Sequence, residues 1–143
     1  MAKSINEIQD EVIEEFEFLE EWTERYQLLV DYANELKKNP LPDADKIDRN
    51  KIDGCQSIVW FTCELKDDGK LMLKGDADAV LVRGIVALLL HVLNDHTPEE
   101  IIKADLYFIE RIGLREHLSP TRSNGIAAML KQIKLYALAY QAK

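Results

Sequence analysis

The stretch from Val80 to Leu93 constrains the fold of this chain most, because it is apolar nearly all round rather than along one face. A segment of this kind is typical of a helix that is buried on every side. It is interrupted by Arg83 and His91 and is too short to span a bilayer. With 143 residues, 47% of them hydrophobic, the chain is expected to pack around this helix as a single domain, residues 1–143.

The segments on either side of this helix show the spacing and the end signals of amphipathic helices. Ser4 is predicted to cap a first helix, and a second helix is predicted from Glu20 to Lys38. The segment Thr97-Pro98-Glu99-Glu100 combines an N-cap, a proline at the first helical position and a capping box. Ser119-Pro120 repeats the cap and proline before a long C-terminal helix.

The middle of the chain has the alternating pattern of strands. From Ser57 onward polar and apolar residues alternate, which predicts a strand that carries Cys63 on its inner face. The turn signal Asp67-Asp68-Gly69 leads back into a second strand, and residues 50–53 are expected to add a third. The predicted fold class is therefore α+β, a small antiparallel three-stranded sheet packed with helices, and Asp76 is expected to cap the helix that follows.

The charge of the chain is acidic and unevenly placed. The net charge is −8, and residues 1–50 hold fourteen acidic residues against six basic ones. Such a surface repels nucleic acid and anionic lipid, so neither is expected as a partner. The N-terminus lacks the apolar block of a secretory signal, which favours a cytoplasmic protein. The acidic helix faces are either simply solvated or form a docking surface.

Several kinds of catalytic or metal site lack the residues that they need. No glycine-rich phosphate loop follows a strand. His91 and His96 are five positions apart and His117 is remote, so a zinc site is not expected and no metal ligand is assigned. These histidines are interpreted as surface groups or as interior groups with hydrogen-bond partners.

The two cysteines differ in their surroundings. Eight residues of strand at roughly 3.3 Å each would part Cys55 from Cys63 by far more than the ~7 Å that a disulfide allows. Cys63 lies in an apolar stripe and is interpreted as structural. Cys55 follows Gly54 in a connecting segment, beside the polar Gln56 and Ser57, and is either a reactive thiol or a small buried hydrophobe.

Arg122 is expected in the first turn of the C-terminal helix, where a cation opposes the helix dipole. Its placement there invites a reason. One reason would be an anion nearby, such as a thiolate whose pKa it lowers. The other interpretation is an ordinary surface arginine.

Three segments in order resemble the SufE family, the sulfur acceptors that partner cysteine desulfurases in iron–sulfur cluster assembly. The segments are Gly54-Cys55-Gln56-Ser57-Ile58-Val59-Trp60, then Lys74 to Ala79 leading to Val82-Arg83-Gly84, and Leu118 to Gly125. The resemblance extends over nearly the whole chain and implies a SufE/IscU-like fold. It also implies that the protein is an accessory sulfur carrier and desulfurase activator rather than an enzyme.

The resemblance implies a role for each site residue. Cys55 would accept persulfide sulfur, and Arg122 would stabilise its thiolate or persulfide. Gly54, Gln56 and Ser57 would shape the loop that carries the thiol. Asp76 and Asp78 would cap a helix and fix the loop rather than take part in the chemistry. Family members keep the cysteine tucked inward until the partner draws it out, and the same is expected here.

The resemblance also implies the partners. Sulfur would come from a SufS- or CsdA-like cysteine desulfurase, whose pyridoxal phosphate belongs to that partner, so no cofactor is expected on this chain. The recipient would be an iron–sulfur scaffold complex of the SufBCD type. Two alternatives stay open: a scaffold that assembles the cluster itself, and a non-catalytic interaction module that docks through its acidic helices.

Overall fold

The computed structural model describes residues 3–52, 57–114 and 120–142, without the side chains of 120–124. Its helices and strands follow in the order α1 Ile5–Phe18, α2 Trp22–Glu35, β1 Val59–Leu65, β2 Leu71–Ala77, α3 Val80–Leu93, α4 Pro98–Lys103, α5 Phe108–Arg111 and α6 Pro120–Gln141. Short 3-10 turns at Leu36–Lys38, Asp43–Asp45 and Asp48–Asn50 connect α2 to β1. The helices pack around a small antiparallel sheet, which confirms the α+β class.

Helix α3 lies at the centre of the core, as its composition predicts. Ten of its fourteen residues are buried, and it packs against α1, α2 and β2. Gly84 lets α2 approach closely, because a Cβ atom at this position would lie 2.5 Å from the carbonyl oxygen of Leu29. The core therefore depends on this helix being both apolar and narrow at one point.

The helix ends follow local sequence signals in two cases. The Ser4 hydroxyl of α1 accepts a hydrogen bond from the Glu7 N–H at 3.1 Å, and the Glu7 carboxylate accepts one from the Ser4 N–H at 3.2 Å. Thr97 and Glu100 form the same reciprocal pair on α4. Both predicted caps are confirmed. Helix α2 is shorter than predicted, because its last turn tightens into a 3-10 turn.

The prediction that Asp76 caps a helix is wrong. Asp76 lies within β2, where it is paired with Trp60, and the ladder continues one residue further to Val59 and Ala77. Helix α3 begins only at Val80, after Ala79, with no side-chain cap. Asp76 is thus part of the strand ladder and is not available to cap a helix.

The sheet has two strands in the described residues, so the predicted third strand at 50–53 is not confirmed, and residue 53 lies outside the described residues. Strands β1 and β2 pair in register from Val59 with Ala77 to Leu65 with Leu71. Lys51 makes only an isolated bridge with Trp60. The Ile52 N–H donates to the Val59 carbonyl at 2.9 Å, and the described backbone pairing on this side goes no further.

Helix α6 occupies the outer edge of β1 where a third strand would continue. The Tyr136 hydroxyl donates to the Phe61 carbonyl at 3.1 Å, and the Tyr140 hydroxyl donates to the Cys63 carbonyl at 2.8 Å. These side chains bind the carbonyl groups that another strand would need. The described residues 50–52 therefore do not continue their pairing along β1 towards Cys63.

The outer edge of β2 is closed in a similar way by the segment after α3. The Leu73 N–H donates to the Asn94 side-chain oxygen at 2.7 Å, and the Asn94 amide donates back to the Leu73 carbonyl at 3.0 Å. Next to it, the Leu71 N–H donates to the His96 carbonyl at 2.9 Å. Closing both edges in this way protects a short sheet from pairing with another chain.

Candidate functional site

Residues 53–58, which we call the signature segment, carry Cys55 and join two residues that are paired with each other. Ile52 before it and Val59 after it share the 2.9 Å backbone hydrogen bond at the start of β1. Residues 53–56, which include Gly54, Cys55 and Gln56, lie outside the described residues. The base from which this segment departs is therefore fixed at one end of the sheet, beside the point where β2 ends.

A reciprocal pair of hydrogen bonds holds the C-terminal side of this base. The Ile58 N–H donates to the Asp78 carboxylate at 3.1 Å, and the Asp78 N–H donates to the Ile58 carbonyl at 3.1 Å. We call this pair of hydrogen bonds the Ile58–Asp78 clamp. Ser57, the described residue nearest to Cys55 in sequence, precedes the clamp and is half-buried. The clamp couples the exit of the signature segment to the connection between β2 and α3.

Asp76 forms the centre of a charged network one pair further into the sheet. Its carboxylate accepts from Arg83 Nε at 3.0 Å and lies 3.1 Å from Lys46 Nζ. The guanidinium of Arg83 also donates to the Ala77 carbonyl at 3.0 and 3.2 Å. Hydrogen bonding to Asp76, and then to Asp43, raises the pKa of Lys46. The network joins the 43–46 turn, the end of β2 and the start of α3, so Asp76 supports the base of the segment.

Apolar side chains are exposed beside this base. Ile58, the hydrogen-bond partner of Asp78, is 41% exposed, and Val80, two residues after Asp78, is 48% exposed. These two side chains leave apolar area in contact with water beside the segment that carries Cys55. The site thus combines a held segment base with a rim that another protein can bury.

The structure places the remaining predicted site residues only in part. Pro120 begins α6, so position 122 falls in the first turn of that helix as predicted. The side chain of Arg122 lies outside the described part of the chain, as Cys55 does. Their closeness in space stays a prediction. Lys46 was missed by the sequence reasoning, because a lysine in a surface connection carries no local signal of its partner 30 positions away.

Cys63 has the surroundings of a structural cysteine, which confirms that prediction. It is half-buried against the core and is a free thiol. Burial, followed by the nearby charge of Glu64, raises the pKa of this thiol to about 12. A thiol of this kind is almost wholly protonated at neutral pH and is a poor nucleophile.

We expect Cys63 to resist alkylation in the folded protein at pH 8. Its pKa of about 12, against 9.0 for an ordinary thiol, lowers the thiolate fraction about a thousandfold. Iodoacetamide labelling followed by peptide mass spectrometry measures this rate, with urea-unfolded protein as the control. Labelling of Cys63 at the same rate in the folded and unfolded protein would contradict the prediction.

The histidines match their predicted roles where they are described. His91 is exposed on α3, and His96 is buried beyond the end of that helix, with Nε2 2.9 Å from the Lys3 carbonyl. Among the described residues, no group of three or more His, Cys, Asp or Glu side chains could hold a metal ion. The same residues include no helix with the length and apolar character needed to cross a membrane.

Comparisons with known proteins agree on one family. The family profile described as SufE, Fe-S metabolism associated domain, matches residues 10–137. An uncharacterized SufE-like protein of Synechocystis sp. is 41% identical over 130 residues, which cover 91% of this chain and 80% of that protein. An uncharacterized SufE-like protein of Rhizobium meliloti is 36% identical over 129 residues, covering 87% and 91%.

A solved structure shares the fold. The solution structure of a hypothetical protein from Thermus thermophilus superposes with a TM-score of 0.78 and covers 95% of this chain and 97% of its own. Its sequence identity of 22% supports the fold alone.

Proposed function

Because this chain belongs to the SufE family and carries a domain associated with Fe–S metabolism, we propose that it accepts persulfide sulfur on Cys55. The donor is a SufS- or CsdA-like cysteine desulfurase, which the protein also stimulates. The observation that carries the proposal is the match of the family profile over residues 10–137, which contain the signature cysteine. The protein acts as a carrier, and its part in the reaction is exchange rather than turnover.

The proposed step is a thiol exchange that needs no oxidant. The Cys55 thiolate attacks the outer sulfur of the donor's persulfide, and a new sulfur–sulfur bond forms on Cys55. The sulfur–sulfur bond of the donor breaks, and its cysteine leaves as a thiolate that takes up a proton. Cys55 then holds a persulfide that an iron–sulfur scaffold of the SufBCD type accepts by a second exchange.

The described part of the site supports this role. A transferable sulfur must be held in one place and then reach two partners, which requires a short segment on a firm base. Ile52 and Val59, together with the Ile58–Asp78 clamp, supply such a base. The exposed Ile58 and Val80 give a partner apolar surface to bury beside the segment.

Arg122 completes the proposed site. A guanidinium near Cys55 would stabilise its thiolate and lower the thiol pKa, which raises the fraction that can attack. Gly54, Gln56 and Ser57 shape the segment that presents the thiol. No cofactor is assigned to this chain, since pyridoxal phosphate is bound by the desulfurase. A cytoplasmic location fits an exchangeable thiol, because that compartment keeps thiols reduced.

Intact-mass analysis tests the proposal after incubation with a SufS-type desulfurase, pyridoxal phosphate and cysteine. We expect one or more added sulfur atoms that dithiothreitol removes, and peptide mapping should locate them on Cys55. An incubation without free cysteine serves as the control. An unmodified mass with desulfurases of both the SufS and CsdA types would refute the sulfur-acceptor function.

A further inference from the structure

A groove runs between α1 and α2 on a part of the surface that the proposed sulfur chemistry does not use. It consists of two joined cavities, of about 910 and about 700 Å³, which share Glu11, Glu15 and Leu28 in their lining. The half-buried side chains of Leu28 and Leu36 line it together with the buried Leu90 of α3. We refer to this feature as the α1–α2 groove.

The α1–α2 groove lies away from the base of the signature segment. Its lining meets the sheet at Leu73, near the start of β2, whereas the segment departs where Val59 pairs with Ala77. Four residues of strand, at about 3.3 Å each, separate Leu73 from Ala77, which is about 13 Å. A ligand in the groove therefore leaves the Ile58–Asp78 clamp accessible.

The rim of the α1–α2 groove is strongly acidic. Six carboxylates and one lysine line the two cavities. Lys3, Lys38 and Lys66 form ion pairs with three of the carboxylates, those of Glu11, Glu35 and Asp95. Within the described residues, Glu14, Glu15 and Asp31 have no such cation. Glu14 and Glu15 lie on α1 about one turn before Phe18, and Asp31 lies on α2.

Two aromatic features add apolar and π surface to the α1–α2 groove. Tyr32 spans it, donating its hydroxyl to Glu15 and packing edge-on against His91 at a ring-centroid distance of 5.5 Å. Phe18, at the end of α1, lines the second cavity and is 86% exposed. A phenyl ring so open to water at the end of a groove is a typical anchor for an apolar partner side chain.

We propose that the α1–α2 groove binds a basic amphipathic helix of a partner protein. Its leucine-type face would lie on Leu28, Leu36 and Phe18, and its lysine or arginine side chains would pair with Glu14, Glu15 and Asp31. Docking of an amphipathic helix into an apolar groove is a common recognition mode. The uncompensated carboxylates select a basic helix over an acidic one by charge complementarity.

The length of the α1–α2 groove matches this occupant. It follows α1 from Lys3 at one end to Phe18 at the other, and the fourteen residues of α1 extend over about 21 Å. A helix of about four turns covers the same distance. A small polycation would satisfy the carboxylates but would leave Phe18 and the leucines exposed, so the peptide fits the groove better.

A defined peptide tests the proposal with the full chain. The probe is a fluorescein-labelled fourteen-residue helix of lysine and leucine at amphipathic spacing, and its glutamate–leucine counterpart is the charge control. We expect fluorescence anisotropy to show binding of the lysine peptide and no binding of the glutamate peptide. The affinity of the lysine peptide should fall as the salt concentration rises. In ¹⁵N NMR spectra the shifted amides should include those of Leu28, Tyr32 and His91.

Matched charge variants locate the binding. The variant E14Q/E15Q/D31N should bind the lysine peptide about tenfold more weakly. The control E64Q/D67N/E99Q removes the same charge from exposed positions outside the groove and should bind as the wild type does. F18A should weaken binding without loss of thermal stability, because that side chain is 86% exposed.

Several outcomes would overturn the groove proposal. They are absence of binding, equal binding of the acidic peptide, and equal weakening by both triple variants. Shifts at the groove with spermidine but not with the peptide would replace the helix by a small polycation. Cys55→Ser should bind the peptide normally, so this inference and the proposed sulfur transfer can fail separately.

Discussion

A Cys55→Ser protein leaves a cysteine desulfurase at its basal rate, whereas the wild-type protein raises that rate; this is the largest functional effect that we expect. A serine hydroxyl cannot form the sulfur–sulfur bond that removes sulfur from the donor persulfide, so the donor must wait for a small thiol. Alanine released from cysteine measures the rate with and without reductant. The variant should still fold, because it exchanges one atom.

Cys63→Ala is the matched control for this experiment. Cys63 has a raised pKa and a place in the core, so its removal should leave the stimulation intact. Full stimulation by Cys55→Ser would show that the protein activates its partner by docking alone, as a non-catalytic interaction module would. Loss of stimulation in Cys63→Ala, with a normal melting temperature, would show that Cys63 rather than Cys55 accepts the sulfur.

The parts of the fold that the sequence predicts are those governed by nearby residues. Helix α3 is apolar on all sides, and the caps at Ser4 and Thr97 depend on partners three positions away. The third strand was not found in the described residues, and the reason is long-range. The edge of β1 is occupied by Tyr136 and Tyr140, which lie 75 and 77 positions from their hydrogen-bond partners. The sequence around each tyrosine gives no indication of this contact.

The candidate site divides along the same line. Local context left Cys55 open between a reactive thiol and a buried hydrophobe, and the resemblance of three segments decided for the first. The supports of the segment come from distant positions: Asp78 reaches Ile58 across 20 residues, and Lys46 reaches Asp76 across 30. Asp76 was expected near the site but as a helix cap, because periodicity cannot show where a strand ladder ends.

Gly84→Ala is expected to destabilise the fold by about 2 kcal/mol, although alanine favours a helix. Helix propensity alone would stabilise the variant by about 1 kcal/mol. Against this, the added Cβ would lie 2.5 Å from the Leu29 carbonyl oxygen and 3.0 Å from its carbon. These are backbone atoms, so no rotamer change relieves the contact, and α2 as a whole must shift from α3. Overpacking commonly costs about 1–3 kcal/mol, and a backbone contact belongs at the upper end of that range, so about 2 kcal/mol of destabilisation is left after the gain.

Urea unfolding followed by circular dichroism measures this loss, and Gly75→Ala is the informative comparison. A Cβ at Gly75 would meet side-chain atoms, those of the Phe61 ring at 2.8 Å and of Val86 at 2.9 Å. Replacing Phe61 by the smaller leucine in the double variant Gly75→Ala/Phe61→Leu should therefore recover part of the stability that Gly75→Ala loses. Shortening Leu29 should not rescue Gly84→Ala, because the carbonyl group remains. A Gly84→Ala protein at least as stable as the wild type would mean that α2 and α3 are not held as closely as their packing indicates.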